Sequence, residues 1–167
     1  MTENALRDGL TGESAAPAAA AAPVEEPLRE NEALSKEWAQ QMGVELSSYE
    51  RHALGGFVAA MEPGAFRLVL MNLVSGALRA ASRVESRKAA VAVKAFGEED
   101  KLRIEIQAPW GGRGAPESET RNPVVQDPNP DPFANRVIRQ MIQHAGGEIR
   151  ELGNLMVIEI PRFVETR

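Results

Sequence analysis

Apolar and polar residues alternate with a helical period through the central stretch, residues 62–82 (EPGAFRLVLMNLVSGALRAAS). Pro63 and Gly64 mark its start, and apolar side chains then recur every three or four residues. The pattern predicts a long helix with one broad buried face, made of Phe66, Val69, Leu70, Leu73, Val74, Ala77, Leu78 and Ala81. A narrower stripe with the same spacing holds Asn72, Gly76, Arg79 and Arg83.

Strands are predicted on both sides of this helix, because apolar and polar residues there alternate with a period of two. Residues 44–50 and 56–60 are predicted as short strands that form one edge of a sheet, joined by a turn at a glycine pair. Residues 89–96 and 102–108 are predicted as a hairpin with the polar turn GEEDK. One face of this hairpin is polar, so we expect helices on one side of the sheet and water on the other.

A shorter helix is predicted before the first strand, over residues 31–42, and Gly43 ends it. Leu34, Trp38 and Met42 share one face of this helix at a spacing of four. We expect that face to pack on the domain or on a second copy of the chain.

The last part of the chain predicts a helix followed by a closing hairpin. Asp131 is a good N-cap, Pro132 suits the first helical position, and a glycine pair after Ala145 ends the helix. Residues 148–151 and 155–160 then form the hairpin. The predicted buried stripe of the helix consists of Ala134, Val137, Ile138, Met141, Ile142 and Ala145.

Residues 1–30 are rich in alanine, proline and glutamate, and they predict a disordered acidic tail. The chain has a formal net charge of −5, from 24 acids and 19 bases. Residues 1–37 hold eight of the acids and three of the bases, so residues 38–167 are neutral. A neutral body argues against nucleic acid as a partner.

Composition excludes several further classes of chemistry. The absence of cysteine rules out disulfides and thiolate sites. No apolar run approaches the ~18 residues of a membrane span, and the sequence does not open with a secretion signal. We therefore expect a soluble, cytoplasmic protein. His52, one of only two histidines, is expected to be an exposed loop side chain and not a phosphoacceptor.

The order of these elements resembles the ATP-binding domain of histidine kinases, the Bergerat or GHKL fold. The segment FVAAMEPGAFRLVLMNLVSGALRAA is similar to the strand, turn and helix that carry the family's N-box, N-L-x-x-N-A, with Asn72, Leu73 and Ala77 in place. The resemblance implies an α+β fold: a two-layer sandwich with a mixed, mostly antiparallel sheet of about five strands. Helices that start at Ala65 and Pro132 would cover one face of that sheet.

Four positions depart from the family's nucleotide motifs. The second N-box asparagine, which ligates magnesium in the family, is Gly76, and the aspartate that accepts a hydrogen bond from the adenine amino group is Ala108. The glycines at the end of the ATP lid are replaced by Pro132 and Ala134, and proline has no N–H to offer a phosphate. Residues 109–130 match the lid in place and rough length.

These losses predict a non-catalytic, pseudokinase-like domain that works by protein binding in bacterial two-component signalling. The expected partner is a response regulator, a kinase or a second copy, and no cofactor or metal is expected. Predicted partner contacts are Trp110, Arg113 and Trp38. The predicted division of the chain is a tail over 1–30, a helix over 31–43, the kinase-like domain over 44–162 and a short tail over 163–167.

Two alternatives stay open. The chain could still bind ATP and magnesium as a stand-alone kinase resembling anti-sigma-factor kinases. In that case the nucleotide would be held by Asn72, Arg79, Gly112 and Gly114. The chain could also be a structural or assembly component, with residues 1–30 as a tether and 31–42 as a dimer helix.

Overall fold

A computed structural model describes residues 20–84, 89–110 and 132–166. In chain order the elements are β1 (Ala22–Pro23), α1 (Glu25–Met42), β2 (Glu45–His52), β3 (Val58–Ala59), α2 (Pro63–Ser82), β4 (Ala90–Gly97), β5 (Lys101–Gln107), α3 (Pro132–His144), β6 (Glu148–Leu152) and β7 (Leu155–Pro161). No helix of these described ranges is long and apolar enough to cross a membrane.

Five strands form the main sheet in the order β2-β4-β5-β7-β6. β2 pairs with β4 in parallel, and every other neighbouring pair is antiparallel. The predicted mixed, mostly antiparallel sheet is therefore confirmed, and so are both predicted hairpins.

Strict alternation in the central strands fixes which face of the sheet meets the helices. On that face the buried side chains are Val91, Val93, Ala95, Leu102, Ile104, Ile106, Met156, Ile158 and Ile160. They join one hydrophobic core with the buried faces of α2 and α3. The opposite face carries ion pairs such as Lys94–Glu50 and Lys101–Glu159, which keep it wet.

α2 is the central helix of this layer. All eight residues of its predicted apolar face are buried, and Phe66, Val69, Val74, Ala77 and Leu78 are fully buried. The side chain of Glu62 caps the helix by accepting a hydrogen bond from the N–H of Ala65 at 2.7 Å. α2 packs against both α1 and α3.

α1 begins at Glu25, so the predicted tail boundary at residue 30 and the predicted helix start at 31 are wrong. Pro27 lies in the first turn, where a backbone N–H has no intrahelical partner, so proline costs the helix no bond there. Leu28 is fully buried and anchors this turn in the core. Residues 1–19 of the predicted tail lie outside the described residues.

α1 contacts the domain through a stripe that the sequence analysis did not single out. Its buried residues after the first turn are Asn31, Ser35 and Ala39, and Gly43 ends the helix at φ 67° as predicted. Tyr49 of β2 donates to Oδ1 of Asn31 at 2.9 Å. Leu34 and Met42, from the predicted packing face, remain exposed, because the domain covers the neighbouring stripe instead.

A small second sheet lies beside the main one. The strand predicted over 56–60 is found there as β3, so its predicted place at the edge of the main sheet, beside 44–50, is wrong. β1 pairs antiparallel with β3, with Ala22 opposite Ala59. Ala59 also bridges to Arg162, and the N–H of Phe163 bonds to the carbonyl of Val58 at 2.9 Å. The two residues of β1 carry too little alternation to be read from a sequence, and the pairing of β3 depends on the path of the chain.

Candidate functional site

Two predicted site residues, Asn72 and Arg79, come from the stripe of α2 that also holds Gly76. Asn72 is half-buried, and its Nδ2 donates to the carbonyl of Leu68 at 2.8 Å, one turn earlier in the same helix. Gly76, one turn further on, is buried. The amide of Asn72 is therefore engaged with its own helix, and Gly76 offers no side-chain ligand.

Trp110 lies next to Gly76. A Cβ atom built on Gly76 would lie 3.9 Å from Cζ3 of the indole, which is ordinary van der Waals contact. The indole packs against the hydrophobic core, and its Nε1 donates to the carbonyl of Ile106 at 3.3 Å. The indole of Trp110 thus lies beside the helix at Gly76, the position that the resemblance assigns to the second N-box asparagine.

Ala108 follows β5 and is only 2% exposed. Its N–H donates to the carbonyl of Asn154 at 3.0 Å, and its carbonyl accepts from the N–H of Trp110 at 2.8 Å. Both backbone groups are satisfied within the protein, and a methyl side chain accepts no hydrogen bond. The resemblance assigns this position to the family's aspartate, and in this chain it is a buried methyl group.

Arg79 is the one candidate side chain with an unmet polar group. Its Nε is buried and has no hydrogen-bond partner among the described residues. Arg79 is half-buried on α2, one turn beyond Gly76. A buried guanidinium N–H without a partner is suited to an anion.

The other predicted site residues do not lie together in the described part of the chain. Trp38 is partly buried against the core on α1. Arg113, Gly112, Gly114 and the predicted lid beyond Trp110 lie outside the described residues. The structure therefore brings together Gly76 and Trp110, and it places Trp38 on a separate helix.

Both histidines are exposed. His52 ends β2, and its ring stacks on Phe96 with centroids 5.1 Å apart. It lies at the end of a strand and not in the loop predicted for it. Among residues 20–84, 89–110 and 132–166 there is no group of three or more His, Cys, Asp or Glu side chains that could hold a metal ion.

Two polar groups near α1 and β7 have displaced pKa values. Burial, with a smaller contribution from Glu32, raises the pKa of Tyr49 well above its ordinary value. The hydrogen bond from Lys101 is the largest cause that lowers the pKa of Glu159, and Arg150 adds to it. Neither group lies beside Gly76, and both serve as structural contacts.

The sequence analysis missed a groove between α1 and α2. Its volume is about 310 Å³, and Pro27, Asn31, Leu34, Gly64, Leu68 and Met71 contribute to its lining. The apolar stripe of Leu34, Trp38 and Met42 in the sequence was the one feature from which a surface on α1 could have been predicted.

Comparison with known proteins gives a match at the level of structure only. No protein-family model matches the chain. No curated protein sequence matches it either. The nucleotide-free catalytic domain of the histidine kinase ThkA is similar, with a TM-score of 0.58 at 20% identity over 85% of this chain and 95% of that one.

Two other solved structures agree with this match. The cytoplasmic segment of histidine kinase QseC has a TM-score of 0.53 at 11% identity, over 87% of this chain and 78% of that one. The complex of ThkA with the response regulator protein TrrA gives 0.55 at 17% identity, over 86% and 41%. The element order, the sheet and these neighbours agree: the chain has the Bergerat ATP-binding fold of histidine kinase catalytic domains.

Proposed function

We propose that this chain is a degenerate histidine-kinase-like domain that acts by binding protein in bacterial signalling, and that it does not transfer phosphate. The observation that carries the proposal is the position of the Trp110 indole, which a Cβ added to Gly76 would meet at 3.9 Å. It supports the loss of a metal position, because an indole occupies the space beside a residue that has no ligand atom. Magnesium takes oxygen ligands in near-octahedral geometry, and neither side chain supplies one.

The surroundings of Ala108 support the loss of adenine recognition. A buried methyl group cannot accept a hydrogen bond from the adenine amino group. The backbone N–H and carbonyl of Ala108 already bond to Asn154 and Trp110. A site selects one base over another when the wrong base would leave a polar group of the site unpaired. Ala108 offers no such polar group.

Phosphate binding is weakened at the other end of the site. Phosphoryl transfer depends on positioning the phosphates and on neutralising their charge through a metal. Pro132 opens α3 at the position of a lid-end glycine, and it has no N–H to donate. The residues therefore do not fit MgATP as a working cofactor.

A protein partner is the function that remains for this fold. Among the structural neighbours, ThkA forms a complex with a response regulator. For this chain we propose a response regulator, a kinase or a second copy as the partner. Trp110, Arg113 and Trp38 are the proposed contacts, because tryptophan and arginine are enriched where protein interfaces are strongest.

The buried Nε of Arg79, which has no hydrogen-bond partner in the described part of the chain, favours a second candidate function, retained binding of a nucleotide. In that case Asn72 and Arg79, with Gly112 and Gly114, hold the nucleotide, and the chain is a stand-alone kinase that uses ATP and magnesium. The third candidate, an assembly component, would use α1 as a dimer helix.

Thermal unfolding with and without nucleotide tests the proposal. A ligand at a hundred times its dissociation constant stabilises the folded state by ~2.7 kcal/mol. We expect no change in Tm with millimolar ATP or ADP and magnesium. A magnesium-dependent rise in Tm, abolished by Arg79→Ala, would overturn the proposal in favour of the kinase. Capture of a response regulator or kinase by the intact chain, lost in Trp110→Ala, would support it.

A further inference from the structure

Exposed apolar side chains concentrate on one side of the molecule. Five large apolar residues of the described ranges are exposed, and three of them, Leu34, Met42 and Met71, belong to α1 and α2. Leu34 and Met71 are 42% and 43% exposed, and both line the groove between the two helices. The surface formed by this groove and its rim is called the α1–α2 face below.

The groove has room for side chains that the same face supplies. Its volume of about 310 Å³ is roughly twice that of a 150 Å³ cavity that accepts a benzene ring, so two large apolar groups would fill it. A second copy offers two such groups, its own Leu34 and Met71. A face that carries both the hole and the knobs is self-complementary, which is what a two-fold interface requires.

Charge on the two helices is also complementary. α1 holds five acids and two bases, a net charge of −3, whereas α2 holds no acid and contributes Arg67 to this face. Glu30 and Arg67 already pair across the rim of the groove. Glu37, exposed on α1, lies three residues from Leu34, and Arg67 lies four residues from Met71. A two-fold pairing that lays α1 of one copy across α2 of the other brings opposite charges together.

The available area suits a reversible contact. An 18-residue helix is about 27 Å long, and two neighbouring helices are about 20 Å wide, which gives roughly 540 Å² per copy. Both copies together bury about 1,100 Å², just above the lower limit of ~1,000 Å² for specific interfaces. This area is typical of a dimer that forms and separates readily.

We propose that the α1–α2 face binds a second copy of this chain, with Leu34 of each copy against Met71 of the other. The inference deepens the proposed protein-binding function, on which it rests, by naming a second copy as one partner at this surface. Asn72, Gly76 and Arg79 belong to a different stripe of α2, so the dimer leaves the surroundings of Trp110 open.

Sedimentation velocity of the full chain over a range of concentrations tests the proposal. The wild type is expected to pass from monomer to dimer as its concentration rises. Leu34→Lys and Met71→Glu each place a charge in the interface and should weaken the dimer at least about tenfold. Leu152→Glu, at an exposed apolar residue of β6, is the matched control and should dimerise as the wild type does.

A mixture of the two variants distinguishes this geometry from any other association. When Leu34→Lys and Met71→Glu copies are combined, one contact becomes a lysine–glutamate pair and the other stays native, so a mixed dimer should form where neither variant alone forms one. Circular dichroism of each variant checks that the monomer is folded. A monomer at every concentration, or no mixed dimer, overturns the proposal. Either result leaves a response regulator or kinase as partner, while a nucleotide-dependent Tm would overturn the proposed function without changing the sedimentation.

Discussion

Trp110 lies beside Gly76 in the gap between β5 and α2: a Cβ atom added to Gly76 would lie 3.9 Å from Cζ3 of the indole, at ordinary van der Waals contact. The indole is held from the other side by its hydrogen bond to the carbonyl of Ile106. A methyl group therefore fits at position 76, whereas a longer polar side chain has to displace the ring. A glycine at position 76 and the placement of this tryptophan are therefore compatible with each other.

Gly76→Ala should stabilise the protein by about 0.5–1 kcal/mol, because glycine inside a helix costs that much relative to alanine and the new methyl group meets no clash. Gly76→Asn should be less stable than the alanine variant by about 1–3 kcal/mol, since it overpacks the contact with the indole. Urea denaturation measures both changes. Gly97→Ala is the control, because its Cβ would lie 2.2 Å from the carbonyl oxygen of Ala53, and it should destabilise. Equal stability of the Ala and Asn variants would contradict this placement of the indole beside Gly76.

Ala108→Asp should destabilise the fold at pH 7, because it buries a carboxylate without a partner at a position that is 2% exposed. Burial would raise the pKa of the new carboxyl group, so the loss should shrink as the pH falls and the group is protonated. Ala108→Asn has nearly the same shape, and its loss should not change with pH. Chemical denaturation at pH 7 and pH 5 compares the two variants. A pH-independent loss in Ala108→Asp would show that the site is open to water.

Tyr49→Phe should change stability in alkali. The buried hydroxyl has a raised pKa in the folded state, while in the unfolded chain it ionises near ~10. Its contribution is therefore complete below pH ~10 and is lost as the pH rises further, because only the unfolded chain releases the proton. The phenylalanine variant should lose about 1 kcal/mol at pH 7 with the bond to Asn31, but should fall less steeply above pH 10. If the free energy of unfolding of the wild type and of the variant fell equally steeply above pH 10, the hydroxyl would not be buried.

Glu159→Gln should change stability in acid. Hydrogen bonds from Lys101 at 3.1 Å and Arg150 at 2.7 Å hold its carboxylate, and the pKa of Glu159 lies below its ordinary value of ~4.3. Its contribution is present above that value and is lost as the pH falls through the folded-state pKa. The free energy of unfolding of the glutamine variant should be lower by about 0.5–1 kcal/mol at pH 7, and it should fall less steeply as the pH is lowered. Glu148→Gln, which removes the same charge from an exposed position of β6, is the matched control.

Much of the sheet and of α2 could be predicted from the sequence, because their burial follows directly from alternation. Val93 and Ile104, for example, are buried where a period of two places them, and Val74 is buried where a helical period does. The start of α1 could not be predicted, because proline and charge near Pro27 are typical of disorder, whereas the first helical turn tolerates both. The parallel pairing of β2 with β4 depends on the path of the chain, which local patterns do not contain.

The candidate site was predictable only in part. Gly76 and Ala108 were identified by comparison with a motif, position by position. The placement of Trp110 beside Gly76 brings together residues 34 positions apart in the sequence, and no local signal specifies it. The exposed stripe at Leu34 was seen as a packing face, but only the structure shows that Asn31 and Ser35 take its place against the domain. A helical wheel ranks the Leu34 stripe as the more apolar of the two, and tertiary packing nevertheless places the Asn31 and Ser35 stripe against the domain.

The small β1–β3 sheet makes this domain suitable for circular permutation. Ala59 lies between Ala22 on one side and Arg162 on the other, so those two points of the chain are only about 10 Å apart, two inter-strand spacings. A linker of a few residues could join them. New termini opened at the Gly153–Asn154 turn would then give a circular permutant that keeps every strand in register. In the native order, any module fused next to Ala22 or Arg162 would project from the β1–β3 sheet.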